Sequence, residues 1–244
     1  MRKVHASLIL AGLLIAFSGC NGKSKPNPGV GPAVSPSQAS AGPNPSGTAT
    51  PDPERQHDPN DRRPVLVCFG DSLTAGYGTG PGQSYPDYLQ ADLDKLDYHY
   101  RVDNEGVSGN TTKDGVERLP EILALHPVVA VVEFGGNDGL RGLPIEQSRI
   151  NLDQIVATLK SAGIKVALAG ITLPPDYGED YIKQFDDTYS VLAKKYRVPM
   201  LPFLLQDVYG VPGMMQEDHT HATAKGNVIV ARNVVSLVLP LLKK

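Results

Sequence analysis

Three predominantly apolar runs, each about as long as a β-strand, constrain the fold of this chain more than any other feature. They are PVLVCFG at 64–70, PVVAVVEFG at 127–135 and IKVALAGI at 164–171. A strand with one face in water alternates apolar and polar residues, whereas a strand covered on both faces is apolar throughout. The runs therefore predict parallel strands buried between two layers of helices.

Helical patterns separate these runs, so strands and helices alternate along the chain. We predict helices over 85–96, 112–125, 145–162, 181–196 and 224–242. Shorter strands are predicted around 100–104 and at VPMLPF, 198–203. The alternation predicts an α/β fold, a three-layer α/β/α sandwich on a five-stranded parallel sheet. In such sheets the functional residues collect in loops at the carboxyl ends of the strands.

The N-terminus has the layout of a bacterial export signal. Two basic residues precede an apolar stretch over 6–17, which is too short to span a bilayer permanently. Ser18 and Gly19 then lead directly to Cys20. This ending resembles a lipoprotein signal, 1–20, in which Cys20 becomes the lipidated first residue. An ordinary cleaved signal, with Cys20 incidental, would instead give a secreted protein.

Residues 21–63 are rich in Pro, Gly, Ser, Asn and Thr, with no apolar residues at helical or strand spacing. Such a composition predicts a disordered tether, and the folded domain is expected to span 64–244. Acyl chains on Cys20 would anchor that domain to a membrane of the bacterial envelope, facing the periplasm. Asn21 stands where inner-membrane lipoproteins carry Asp, so the outer membrane is favoured.

Charge and cysteine content exclude two further classes of protein. The net charge of -3 and the scattered basic residues leave no basic stripe, so no nucleic acid partner is expected. Cys68 is the only cysteine besides Cys20, so lipidation of Cys20 would exclude a disulfide framework. Because Cys68 lies within an apolar run, we expect it to be an inert core thiol.

A candidate nucleophile follows the first buried strand. Gly70, Asp71, Ser72 and Leu73 place a serine hydroxyl at a strand end, where backbone N–H groups favour developing negative charge. Thr74 occupies the position of the second glycine in G-x-S-x-G, so the nucleophile elbow of α/β-hydrolases does not fit. Taken alone, Ser72 is equally consistent with a helix cap.

Two further blocks offer hydrogen-bond donors at strand ends. Gly109, in SGNTT, follows the second strand, and a glycine there lets its N–H approach a ligand closely. Asn137, in GGND, follows the third strand and carries an amide that can donate to an oxyanion. Asp71 and Asp138 are expected to hold these loops by hydrogen bonds. Each block alone would also suit an ordinary turn.

The last block, DHTH at 218–221, precedes the C-terminal helix. A local turn lets the Asp218 carboxylate accept a hydrogen bond from His221, which then takes the Ser72 proton. His219 is a competing base, but along an extended chain it points away from that arrangement. A metal site formed by Asp218, His219 and His221 is an alternative, although no further ligand cluster lies nearby in the sequence.

Together the four blocks resemble the GDSL or SGNH hydrolase family, in particular its bacterial thioesterase I, lysophospholipase L1 and arylesterase branch. Its marks occur in order, from residue 65 onward, as Ser72, Gly109, Asn137 and His221. The resemblance implies a flavodoxin-like sandwich with Ser72 as nucleophile. It also implies an oxyanion hole of the Ser72 and Gly109 N–H groups with the Asn137 amide, and a triad completed by Asp218 and His221.

The resemblance further implies a serine esterase that acts through an acyl-enzyme on Ser72, with no metal or cofactor. Carboxylic esters or thioesters are the expected substrates, among them lysophospholipids, acyl thioesters and aryl esters. Leu140, Leu173 and Tyr177 are either part of an acyl pocket or part of the core. Ala222 stands where the family usually has Pro, which questions the rigidity of that loop. Alternatives are a deacetylase of sugars or cell-wall glycans and a non-catalytic surface lipoprotein of the same fold.

Overall fold

The computed structural model describes residues 61–244. The predicted signal 1–20, Cys20 and the tether up to residue 60 lie outside the described residues, and the domain boundaries remain predictions. The sheet consists of β1 (Val65–Gly70), β2 (Arg101–Gly106), β3 (Val129–Glu133), β4 (Lys165–Ala169) and β5 (Met200–Leu201). All neighbouring strands are parallel, in the order β2-β1-β3-β4-β5.

Helices connect the strands and cover both faces of the sheet. They are α1 (Ser72–Ala75), α2 (Tyr85–Lys95), α3 (Thr112–Glu117), α4 (Leu119–Ala124), α5 (Gly136–Leu140), α6 (Ile145–Ser161), α7 (Glu179–Tyr196) and α8 (Ala224–Val238). One layer pairs α2 with α8, and the other packs α6 against α3 and α7. The structure confirms the predicted three-layer sandwich.

The central strands are apolar, apart from Glu133 at the end of β3, because both of their faces are covered. Every residue of β1 and β3 is buried, and Cys68 is a buried free thiol whose pKa burial raises well above its ordinary value. By length and composition alone, Ala224–Leu241 is the single candidate membrane span within residues 61–244. Its helix, α8, packs against α2 and β4, as a core helix does.

Prolines account for the main differences from the predicted elements. The predicted helix 112–125 is two helices, because Pro120 lies at the start of α4, lacks an N–H and cannot continue α3. The predicted helix 224–242 ends at Val238 and continues as a 3-10 turn, Leu239–Leu241, that contains Pro240. The fifth strand shortens to two residues between Pro199 and Pro202, because proline cannot donate to a ladder.

The strand order places the candidate residues at one crevice. From β1 the chain passes to β2 on one side and later to β3 on the other. Open α/β sheets bind ligands at the carboxyl ends of strands beside such a reversal. Ser72 follows β1 and Asn137 follows β3, so the fold brings both loops to this crevice.

Candidate active site

Ser72 lies in a tight turn that leaves the carboxyl end of β1. It is the first residue of the short helix α1, and the Asp71 carboxylate caps this helix by accepting a hydrogen bond from the Leu73 N–H at 3.0 Å. The Ser72 side chain is partly exposed, whereas Asp71 is buried. The serine hydroxyl therefore faces the crevice from a turn anchored in the core.

Ser72, His221 and Asp218 form one chain of hydrogen bonds. The Ser72 hydroxyl lies 2.8 Å from His221 Nε2, and His221 Nδ1 lies 2.7 Å from an Asp218 carboxylate oxygen. Since an ionised carboxylate only accepts, Nδ1 carries the proton and Nε2 is free to accept from the serine. His221, rather than its competitor His219, therefore reaches Ser72.

Backbone N–H groups of its own loop fix the carboxylate of Asp218. Its other carboxylate oxygen accepts the backbone N–H groups of Thr220, at 2.9 Å, and of His221, at 3.0 Å. Burial alone would raise the pKa of Asp218, but these hydrogen bonds and the one from the imidazole outweigh it and lower the pKa. Asp218 is therefore ionised at neutral pH and can stabilise an imidazolium.

Gln216 fixes the loop that carries His221. Its backbone N–H donates to the His221 carbonyl at 2.8 Å, and its side-chain amide donates to the carbonyls of Ala222, at 2.9 Å, and Tyr77, at 2.7 Å. The Tyr77 ring also packs against the imidazole, with 4.7 Å between the centroids. These contacts restrain the loop at Ala222, where the sequence lacks the proline usual in the family.

Three N–H groups are the candidate oxyanion donors of this site. Within residues 61–244, the backbone N–H groups of Ser72 and Gly109 have no hydrogen-bond acceptor. Gly109 has φ +83, a left-handed conformation that favours glycine, and Arg141 holds its carbonyl at 3.0 Å. The third group is the Asn137 amide. Such donors can stabilise an oxyanion that forms next to Ser72.

The Asn137 amide is held from two sides. Its Nδ2 donates to an Asp71 carboxylate oxygen at 3.1 Å and to the Asn110 carbonyl at 3.0 Å. Burial raises the pKa of Asp71 to about 6, while the hydrogen bonds from Leu73 and Asn137 counter part of that rise. A substrate oxyanion therefore has to share or replace one of these two bonds.

Asp138 joins the second and third blocks. It is buried and accepts the Thr112 N–H at 2.9 Å, the Thr112 hydroxyl at 2.5 Å and the Ser148 hydroxyl at 3.0 Å. The loops that carry Gly109 and Asn137 are thereby fixed to each other. As predicted, Asp71 and Asp138 hold loops by hydrogen bonds.

An apolar cleft of about 170 Å³ opens beside Ser72 and His221. Its apolar walls include Leu140, Ile171, Leu173, Phe203, Leu205 and Tyr209. Tyr177 does not line this cleft. Its hydroxyl donates instead to the Leu140 carbonyl at 2.9 Å and so supports the wall from behind. Two of the three predicted pocket residues therefore reach the cleft.

A serine, a histidine and an aspartate in hydrogen-bond sequence, at the carboxyl edge of a parallel sheet, define a serine hydrolase. The GDSL-like Lipase/Acylhydrolase family matches residues 68–229. The chain belongs to this family, as its sequence resemblance predicted, and it is an ester hydrolase.

Named relatives agree with this assignment. The chain is 40% identical over 179 residues to Esterase TesA of Pseudomonas aeruginosa, covering 73% of this chain and 89% of that protein. It is 38% identical over 178 residues to thioesterase 1/protease 1/lysophospholipase L1 of Escherichia coli, covering 72% and 84%. Its fold is similar to a crystal structure of TesA, with a TM-score of 0.71 at 40% identity, covering 73% of this chain and 99% of that one.

Sequence reasoning did not identify several residues that shape the site. Glu133 is a single acid within an apolar run and belongs to no polar motif. Gln216 bonds to a carbonyl 139 positions away, and Phe203 and Tyr209 lie beyond the last strand. No cluster of three potential metal ligands occurs among the side chains that the structure describes.

Proposed function

We propose that this chain is a serine esterase in which Ser72 forms an acyl-enzyme with carboxylic esters or thioesters. The observation that supports this most directly is the chain of hydrogen bonds from Ser72 through His221 to Asp218, beside an apolar cleft. A nucleophile with a base in reach, and the base oriented by a third group, is what covalent catalysis requires.

The proposed reaction has two matched steps. Ser72 Oγ attacks the acyl carbon while its proton passes to His221 Nε2, and the carbonyl oxygen becomes an oxyanion. When the intermediate collapses, the leaving alcohol or thiol takes that proton. Water then repeats the attack on the acyl-enzyme, with His221 again taking and returning the proton, and the acid is released.

In this proposal the oxyanion is stabilised by the Ser72 and Gly109 N–H groups and the Asn137 amide. Asp218 keeps Nδ1 of His221 protonated and stabilises the imidazolium that forms in each step. None of these roles requires a metal ion or a cofactor, because general base and oxyanion donors are all supplied by the chain.

The apolar cleft favours acyl chains longer than acetyl. Each buried methylene contributes about 0.8 kcal/mol, or about fourfold in kcat/KM, until the cleft is filled. The relatives are named as an esterase and as a thioesterase and lysophospholipase, which supports acyl esters and thioesters as substrates. A sugar deacetylase would gain nothing from these apolar walls.

Hydrolysis of p-nitrophenyl esters of increasing chain length by the 64–244 chain tests this proposal. We expect Ser72→Ala, compared as a folded protein, to abolish turnover, and the parent to prefer esters longer than acetate. Leu140→Ala should flatten the chain-length profile, whereas Leu96→Ala should not, since Leu96 is about equally exposed, 44% against 41%, but lies outside the cleft. Undiminished turnover by Ser72→Ala would refute the proposal, and a preference for acetate would favour the deacetylase.

We further propose that the enzyme works at the envelope, lipid-anchored through Cys20 to the outer membrane and facing the periplasm. The support is the signal pattern that ends at Cys20 and the Asn at position 21. A lipid anchor would place the hydrolytic domain near membrane lipids, which suits lysophospholipids as substrates.

Detergent phase partition of the full-length chain, made in a bacterium with two membranes, tests the anchor. We expect the parent to enter the detergent phase and to sediment with the outer membrane, and Cys20→Ser to remain in the aqueous phase. A parent that is found in the aqueous phase would instead indicate an ordinary cleaved signal and a secreted enzyme.

A further inference from the structure

Glu133 lies at the carboxyl end of β3, directly beside the turn that carries Ser72. Its backbone pairs with Gly70 at the end of β1, and its side chain is fully buried. A Cβ added at Gly70 would lie only 2.6 Å from the Glu133 carboxyl. Because Gly70 has no side chain, the Glu133 carboxyl group can occupy the space beside it.

The nucleophile turn is bonded to one oxygen of this carboxyl group. Glu133 Oε2 accepts the Thr74 hydroxyl at 2.8 Å and the Asp71 N–H at 3.3 Å. Thr74 also lies in hydrogen-bond contact with the Tyr85 hydroxyl, at 3.2 Å. Ser72 thus lies between two residues that both donate to Glu133.

No positive charge balances this buried acid. Within residues 61–244, Glu133 forms no salt bridge, and its Oε1 accepts no N–H or hydroxyl hydrogen bond. The titratable groups that face it are Asp71, Tyr85 and Tyr189, with His221 beyond Asp71. Burial raises the pKa of Glu133 well above its ordinary value, and the nearby Asp71 charge raises it further.

We infer that Glu133 is a positioning residue of the hydrolytic site, a neutral carboxylic acid that braces the Ser72 turn and, through Asp71, the Asn137 amide. This inference rests on the proposed function, since it assigns Glu133 to the site where Ser72 reacts. As a neutral acid, Glu133 can donate its O–H to the neighbouring buried Asp71 carboxylate, which in turn accepts the Asn137 N–H at 3.1 Å.

The negative charge of the pair belongs on Asp71. Asp71 accepts N–H groups from Leu73 and Asn137 and feels the charge of His221. Burial raises the pKa of Asp71, but these contacts and the hydrogen bond from Glu133 limit the rise to about 6. Two carboxyl groups that share a buried site cannot both ionise easily, so the proton stays on Glu133.

Stability as a function of pH tests the protonation of Glu133 without any catalytic readout. An acid whose pKa is raised by folding stabilises the fold fully below its unfolded pKa, about 4.5, and this stability is lost as the pH rises towards the folded pKa. From pH 5 to pH 7, we expect the folding equilibrium constant of the parent to fall relative to that of Glu133→Gln, by at most about tenfold per pH unit, which is the limit for the release of one proton.

This comparison is best made in a Ser72→Ala background, with Glu117→Gln as the matched control. The Glu117 side chain is 61% exposed, so the same chemical change there should leave the pH dependence of the parent unaltered. A Glu133→Gln difference that stays constant from pH 5 to pH 7 would show an ionised Glu133 and would overturn the inference.

Activity tests the positioning role. Turnover is measured per active site titrated with a serine-reactive phosphonate, so misfolded protein does not contribute. We expect Glu133→Leu to lower kcat at least tenfold with KM within twofold, and Glu133→Gln, which keeps both hydrogen bonds of Oε2, to restore most of that loss. Equal losses in the two variants, or no loss in Glu133→Leu, would overturn the role. A Ser72→Ala variant that remained active would refute the proposed esterase instead. The stability comparison does not depend on activity, so it would still test the protonation of Glu133.

Discussion

Asp71 and Asp218 are two aspartates of one site whose pKa values shift in opposite directions. Asp71 is buried beneath the nucleophile turn, and burial raises its pKa to about 6. The Asp218 side chain is 40% exposed, and hydrogen bonds from its own loop overcome a smaller burial effect and lower its pKa. The nucleophile side of the site is thus built into the sheet, whereas the base side is held by a surface loop.

The difference between the two sides predicts different consequences of substitution. Changes on the nucleophile side remove hydrogen bonds from the core and should lower stability as well as activity. Changes on the base side affect groups that water can still reach, and should lower activity while leaving the fold almost unchanged.

The largest effect is expected from Asp218→Asn. Loss of the carboxylate permits the wrong tautomer of His221 and removes the charge that stabilises its imidazolium. A fully buried triad aspartate contributes about 10⁴-fold, and partial exposure reduces this to about 10³-fold in kcat, or about 4 kcal/mol. Steady-state kinetics on a p-nitrophenyl ester measures the loss. His219→Ala is the neighbouring control. An equal loss of kcat in that variant would contradict the assignment of His221, rather than His219, as the base.

Asn137→Ala should have the second-largest effect. It removes one oxyanion donor and should reduce transition-state stabilisation by about 3 kcal/mol. The effect should fall on kcat rather than on KM, since the oxyanion exists only after attack has begun. Asn137→Asp keeps the size but not the donor and should be no better. A loss confined to KM would contradict a role in the transition state.

Thr74→Val tests the contribution of the nucleophile side to the free energy of unfolding. It deletes a hydroxyl that donates to Glu133 and contacts Tyr85 at almost constant volume. Because the buried Glu133 carboxyl group then loses one hydrogen-bond donor, the substitution should reduce the free energy of unfolding by about 2 kcal/mol. Urea denaturation of Thr74→Val beside Thr79→Val, a turn residue outside the core, measures the difference. Equal midpoints for the two variants would contradict the proposed contrast between the sides.

Gln216→Ala should have the smallest effect. The loop keeps its backbone hydrogen bond to His221 but loses the two side-chain bonds to Ala222 and Tyr77. We expect about 1 kcal/mol of lost transition-state stabilisation, or about fivefold in kcat/KM, with an unfolding midpoint close to that of the parent. A large drop in the unfolding midpoint would place this loop in the stable core and remove the contrast with the nucleophile side.

The sequence predicted the fold well because the fold depends on local patterns. Buried parallel strands and amphipathic helices have short periods that a single sequence displays, so the layers and strands agree with expectation. Prolines at 120, 199, 202 and 240 moved element ends, since a helical or apolar pattern can continue across a residue that the hydrogen-bond ladder cannot accommodate.

The site was predictable only where a motif carries its chemistry. Ser72, Gly109, Asn137, Asp218 and His221 stand in short blocks that the sequence displays. The structure joins Ser72, His221 and Asp218 by hydrogen bonds and places Asn137 at the same cleft, while the catalytic roles of all five stay predictions. Glu133 and Gln216 were missed because each acts through a partner distant in sequence, Asp71 in one case and Tyr77 in the other. Phe203 and Tyr209, which line the cleft, were missed because they lie outside every motif.

The 2.8 Å contact between Ser72 and His221 joins residues 149 positions apart. During synthesis, a growing chain therefore exposes its serine long before the histidine has been made. If His221 is the base, as proposed, a fragment that stops short of residue 221 has no base for that serine. On that proposal, loss of the segment that carries His221 would leave Ser72 in place and abolish turnover.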